Sequence, residues 1–345
     1  MRMPALITML TMTCLMIGLV ITNGAQADFS AQKNSQAPSP KQPKNNSQAH
    51  ELEEGINPLP VMWEDPVDLE RRDLFYGIGG QKGAPDPMSR FIFIKHDTQG
   101  KAEKIHVEDE RGRKWRVKFG PEPKPETAAT RIVWAAGYHV DQAYFVRHAR
   151  IEGYGDADLS EVRFERDNDG YKKVGRWEWN SNPFVGTREL DGLKTLMALL
   201  NNYDLKEENN KIVTPAKNSS ESVKHIYFVS DLGATLGSTG HWFNELPLLG
   251  ELPTGNKGVA KQFAEHGFID GVSKGEVRFH MQRRRANRAL QRVKVENARW
   301  MGELMARLSD KQIADAFRAG GFDDMESATY VRALRDRIRQ LQNLR

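Results

Sequence analysis

Cysteine is almost missing from this 345-residue sequence: Cys14 is the only one, and it sits inside the apolar segment that runs from Leu6 to Thr22. A folded domain downstream of that segment therefore has no disulfide to rely on and must be held by an apolar core or a ligand. Long apolar runs are also missing after Thr22, so nothing later is suited to crossing a bilayer, which takes roughly 20 apolar residues. His139, His148, His225, His241, His266 and His280 show neither H-x-x-x-H nor H-x-H spacing, which argues against a zinc centre. Ser230 and Ser238 lie outside any G-x-S-x-G elbow, so acyl transfer is disfavoured. Charge of one sign is not in excess either. The net charge is +4, and the arginine clusters at 283–285 and 331–339 read as solvated helix faces rather than a nucleic-acid surface. No internal repeat is visible.

What is present begins with targeting. Arg2, the apolar segment and the A-x-A site at Ala25-Gln26-Ala27 read as a secretory signal peptide over residues 1–27, cut before Asp28, with an uncleaved anchor as the alternative. Residues 28–55 are rich in Ser, Gln, Asn, Lys and Pro and bury too little to offset their ordering entropy, so they read as a disordered linker. The expected address is periplasmic or secreted, with no membrane span once the signal is removed. About 290 residues remain, enough for one two-lobed domain or two small ones.

Turn signals and alternation predict strands at 91–94, 104–107 and 114–119, then a helix over 125–137 opened by Pro125 and stopped by Gly137. Tyr144-Phe145-Val146 and Val162-Arg163-Phe164 read as further strands. Thr187 caps a helix carrying Leu190, Leu193, Leu196, Met197 and Leu200 at helical spacing. Strands at 211–213 and 225–229 follow. Beyond 256 the pattern is helical, at roughly 284–307, 309–319 and 325–343, with Ser309 and Ser327 as caps. The fold class expected is α+β, with a sheet-rich N-lobe over 56–185 and a helical C-lobe over 186–345.

Two short segments carry the chemistry. Residues 203–210 read Tyr-Asp-Leu-Lys-Glu-Glu-Asn-Asn, and the apolar run 226–229 leads into Asp231-Leu232-Gly233. The first resembles the catalytic loop of protein kinases and the second their metal-binding Asp-Phe-Gly segment. Lys118 at the end of the third strand and Glu126 at the start of the next helix complete the same order, with Glu122 a rival partner for the lysine. The chain is thus similar to divergent, atypical members of the protein-kinase-like superfamily, over roughly residues 90–245. That resemblance implies a two-lobed kinase-like fold. It makes Asp204 the acceptor of the attacking hydroxyl's proton, Asn209 and Asp231 the holders of Mg2+ or Mn2+, and Lys118 with Glu126 the contact to ATP phosphates. The phosphoryl acceptor would be a protein, glycan or small molecule.

The departures are specific. Tyr203 replaces the arginine that usually precedes the catalytic aspartate. No G-x-G-x-x-G lies between the first two strands, so the hairpin at 97–101 would have to cover the phosphates. Plainer readings stand beside each call: Asp204 as a turn cap, Lys118 as an exposed strand lysine, Asp231 as a strand end. A non-catalytic kinase-like binding protein of the cell envelope is the alternative function, favoured by the scarcity of ATP outside the cytoplasm.

Overall fold

The computed structural model describes residues 58–98, 103–155, 158–167, 170–216, 223–237, 258–281 and 283–345. Residues 1–27 and 28–55, read above as signal peptide and linker, and most of the turn after Asp97 lie outside them. The described chain opens with β1 (Leu59–Val61) and a short helical turn, α1 (Gly80–Gly83). The three expected strands follow as β2 (Phe91–Asp97), β3 (Lys104–Asp109) and β4 (Lys114–Lys118).

Helix α2 (Pro123–Ala135) starts two residues earlier than Pro125 suggests, because Pro123 already occupies its first turn, where a missing N–H costs nothing. Its stop is as read. Gly137 has φ of +93°, and a Cβ there would lie 2.2 Å from the carbonyl oxygen of Glu64, so only glycine fits. Next come β5 (His139–Val140), β6 (Ala143–Glu152), β7 (Asp158–Arg166) and β8 (Tyr171–Gly175).

Strands β2, β3, β4, β7 and β6 close into a barrel in that order. Alternation along the strands turns Phe91, Ile105, Val107, Trp115, Val117, Val162 and Phe164 into its interior, all with essentially no exposure. Helix α2 lies across the outside of β6 and β7.

Helix α3 (Arg188–Leu199) is capped as expected: Thr187 Oγ1 accepts from the Leu190 N–H at 3.3 Å. It delivers the chain to the loop 200–209. Strands β9 (Asn210–Pro215) and β10 (Lys224–Val229) then form a second sheet with β8, β1 and β5; β9 runs antiparallel to β8 and β10, whereas β1 and β5 pair with β10 in parallel. The architecture is α+β, with sheets that are mostly antiparallel first and helices dominating the C-terminal part. Barrel strands, a single helix, an entry helix, a loop, a strand pair and a second loop thus carry the α+β order that the sequence predicts.

The region beyond 256 departs from the wholly helical expectation. After α4 (Ala260–Glu265), β11 (Ile269–Ser273) and β12 (Glu276–Phe279) pair, and β13 (Val293–Lys294) joins them as a third strand. The expected helix 284–307 is therefore two, α5 (Arg284–Ala289) and α6 (Val295–Ala306), parted at Arg292, whose φ is +61°. Helices α7 (Asp310–Ala319) and α8 (Asp324–Gln342) follow. Ser309 caps α7 in a capping box with Gln312. Ser327 does not cap α8; it is buried within the helix, and Asp323 with Glu326 forms the box one turn earlier. The α8 guanidinium of Arg337 is buried and donates to the carbonyls of Leu199 at 2.8 Å and Phe263 at 2.9 Å, fastening α8 to the end of α3.

Candidate active site

Because side chains alternate along a strand, Arg116 and Lys118 leave β4 on the face opposite Trp115 and Val117. Lys118 is only 3% exposed. Its Nζ lies 3.0 Å from Glu126 Oε2 on α2 and 2.8 Å from Asp231 Oδ1, a contact spanning 113 residues of sequence. It also pairs with Glu122, so both glutamates that the sequence offered as partners hold it at once. Burial alone would lower the lysine's pKa, but Glu126, Asp231 and Glu122 outweigh it and keep it above its ordinary value. Burial would likewise raise Asp231, but Lys118 outweighs it and holds that carboxyl below the ordinary range. The exposed-lysine reading of Lys118 is thereby excluded.

Glu126 is gripped from its other side by Arg163 of β7. Arg163 reaches Glu165 at 2.5 Å, and Glu165 pairs with Arg116. The result is an unbroken row of alternating charge: Lys118, Glu126, Arg163, Glu165, Arg116. Sequence reading missed it, placing Arg163 only as a strand residue and Glu165 not at all. The signal was there as alternation, since β4 and β7 are neighbours with Lys118 opposite Arg163 and Arg116 opposite Glu165. Deeper in the sheet, Lys211 pairs with buried Asp141.

Beyond α3 the chain turns sharply at Asn201, with φ of +51° and its side-chain amide donating to the Gly237 carbonyl at 2.7 Å. The Asn202 side chain accepts from the Asp204 N–H at 3.0 Å. The Asp204 carboxylate is about a third exposed and takes a bond from Lys206 Nζ at 2.5 Å. Asn209 donates through Nδ2 to the Asp204 carbonyl at 3.1 Å, which leaves its amide oxygen as the atom a cation could use. Part of the turn-forming reading of these residues is therefore correct.

Three backbone bonds join this loop to the one around Asp231. Tyr203 N–H donates to Ala234 at 3.2 Å, Ser230 N–H to Asn209 at 3.0 Å, and Leu236 N–H to Leu200 at 3.0 Å. Asp231 is held at φ of +54°, a conformation uncommon outside glycine. The close approach of Gly233 to Glu122, whose side chain lies 2.7 Å from where a Cβ would be, leaves room only for glycine there.

A cavity of about 450 Å³ opens between these parts. Lys118, Glu126, Asn209 and Asp231 all line it; Asp204 does not, and is tied to it through Asn209. Glu122, Glu126 and Asp231 each offer a carboxylate oxygen, all within 4.8 Å of one another. Oxygen donors of this kind suit a hard divalent cation such as Mg2+ or Mn2+, but all three carboxylates already converge on the Lys118 ammonium, which such an ion would have to displace or share.

No protein-family model and no curated protein matches the chain. Among solved structures it is similar to a Helicobacter pylori proinflammatory kinase, CtkA, with a TM-score of 0.42 and 13% identity over 73% of this chain and 96% of that one. It is also similar to the Rio2 kinase–ADP/Mg2+–phosphoaspartate complex from Chaetomium thermophilum, with a TM-score of 0.30 and 16% identity over 72% of each chain. A golgi casein kinase gives a TM-score of 0.37 and 9% identity, over 81% of this chain and 76% of that one.

Proposed function

We propose that the protein is a kinase-type phosphotransferase that uses ATP with Mg2+ or Mn2+. The observation that carries this reading is the convergence on Lys118: one buried ammonium joins the α2 glutamate to the aspartate of Asp-Leu-Gly, at the wall of a cavity shared with Asn209. Lys118 is ionised and aimed, as contact with phosphate oxygens demands. A divalent ion held by Asp231 and Asn209, with Glu122 and Glu126 in reach, would neutralise phosphate charge. The acceptor hydroxyl oxygen forms its bond to the terminal phosphorus while the bond from that phosphorus to the bridging oxygen breaks. ADP leaves with the electron pair, and the Asp204 carboxylate takes the hydroxyl proton. The leader-like segment before Asp28 supports an envelope or secreted site of action, with a protein, glycan or small-molecule hydroxyl as acceptor.

A second reading has its own observation. The Asp204 carboxylate is already engaged by Lys206 and lies off the cavity lining, which suits a kinase-like binding protein that no longer transfers phosphate. Transfer of labelled phosphate separates the two. The D204N variant should keep nucleotide-induced thermal stabilisation and lose transfer, whereas D231N should lose both and K118A should weaken nucleotide binding. At a hundredfold excess over Kd, ATP with metal should stabilise the wild type by about 2.7 kcal/mol. Equal transfer by wild type and D204N would remove Asp204 as the base, and a melting curve indifferent to nucleotide and metal would sink the phosphotransferase reading.

A further inference from the structure

The lining of the cavity is unlike a pocket built for a heteroaromatic ring. Such pockets are mostly apolar, with a few polar groups to set orientation. Among the described residues, seven cationic side chains face five acidic ones, Val213 is the single aliphatic residue, and the one aromatic, Tyr171, is exposed at the rim. The charges arise from strand alternation. Arg116 stands two residues before Lys118 on the same face of β4, and Lys211 stands two residues before Val213 on β9. Both are locked into ion pairs, with Glu165 and Asp141, so a base pressed against them would strip water from ions and return no hydrogen bonds of equal strength.

Pairing does not use up the positive charge. Lys104, Lys173 and Arg176 line the same cavity and form no ion pair among the described residues. Burial first, then repulsion from Arg176, Lys211 and Arg116, lowers the pKa of Lys173, which like Arg176 is exposed at the rim of the cavity. The buried Nε atoms of Arg116 and Arg163 also have no hydrogen-bond partner among the described residues.

We propose that the cavity recognises the polyphosphate of its ligand and is indifferent to the base. Lys104, Lys173 and Arg176 take the phosphate oxygens, and the base, where there is one, stays outside the charged interior. Phosphate offers each of these cations a charge-assisted bond that an uncharged ring cannot. The inference rests on the reading of this cavity as the phosphate-donor site.

Calorimetric titration of the full chain with Mg2+ at fixed ionic strength tests it, using ATP, GTP, CTP, inorganic tripolyphosphate and adenosine as probes. The four polyphosphates should bind within about threefold of one another, with adenosine giving no heat at a hundredfold higher concentration. K173A/R176A should weaken all four polyphosphates together, by about tenfold or more, and K104A should do so to a smaller degree. K261A, outside the cavity lining, should change none of them. A tenfold or greater preference for ATP over tripolyphosphate, displacement of ATP by adenosine, or unchanged affinity in K173A/R176A would overturn base indifference and leave the phosphotransferase reading standing. Failure of every polyphosphate to bind would overturn both.

Discussion

Strands β4 and β7 border two interiors of opposite character. Their odd and even residues part company: Trp115, Val117, Val162 and Phe164 fill the barrel, while Arg116, Lys118, Arg163 and Glu165 build the charged row beneath α2. Lys118, Arg163 and Glu165 are buried almost as fully as the barrel residues, and Arg116 is half-buried. The apolar side needs volume and shape, and any residue of similar bulk serves. The ionic side needs complete pairing, because each charge taken from water is tolerable only while its counter-charge is present.

Neighbouring residues on β7 put the largest test on this difference. Phe164→Ala should cost about 3–5 kcal/mol through the cavity it leaves. Arg163→Ala should cost a similar 3–5 kcal/mol by a different route, since it strands Glu126 and Glu165. Urea denaturation of both variants at neutral pH checks the pair. Only the Arg163 variant should also lose nucleotide-induced stabilisation in its folded fraction, because only it disturbs the grip on Glu126 and Lys118.

Conservative substitutions sharpen the contrast. Ile105→Leu preserves apolar volume in the barrel and should cost less than about 1.5 kcal/mol. Arg163→Lys preserves charge but not the two-pronged reach to Glu126 and Glu165, and should cost clearly more. An Arg163→Lys variant as stable as Ile105→Leu would show that the charged row needs charge alone.

Acidity separates the two sides further, since apolar packing does not titrate. The folded-state pKa of Asp231 lies below its ordinary 3.8, so its contribution is complete above that value and is lost as pH falls through the folded one. The pKa of Lys118 lies above its ordinary 10.5, so its contribution is complete below that value and is lost as pH rises through the folded one. Stability from the Asp231–Lys118 pair should therefore hold level from about pH 4 to pH 10 and fall outside it. Burial raises the Glu126 carboxyl above its ordinary 4.5, so that group's own contribution falls as pH rises from 4.5 to its folded value. D231N should flatten the acid limb in urea denaturation midpoints measured over a pH series. The smallest effect expected is at the helix that feeds the loop: Thr187→Ala should cost about 1 kcal/mol through the lost cap.

The legible parts of the sequence were those in which one residue does one local job. Thr187, Ser309 and Gly137 announce helix ends by their own chemistry, and Lys118, Glu126, Asn209 and Asp231 were singled out by the order of their motifs along the chain. The charged row was not legible in that way. Arg163 and Glu165 acquire meaning only from the pairing of β7 with β4, which no local pattern reports. The break between α5 and α6 was hidden because Arg292 carries it, a residue with no turn signature, where glycine or proline would have spoken. The start of α8 was misread for a different reason. Asp323 and Glu326 satisfy the capping-box pattern as written, and Ser327 drew attention only as a residue type.

The three backbone bonds that stitch residues 200–209 to 230–236 have a consequence for motion. Neither segment can open while the other stays shut, because Tyr203, Ser230 and Leu236 each give their amide to the opposite strand of the stitch, or receive its partner there. Tyr330 of α8 adds a fourth point by donating its hydroxyl to the Leu236 carbonyl at 2.8 Å. The amides of Tyr203, Ser230 and Leu236 therefore belong to one cooperative unit and should exchange with deuterium in step, at a common opening free energy.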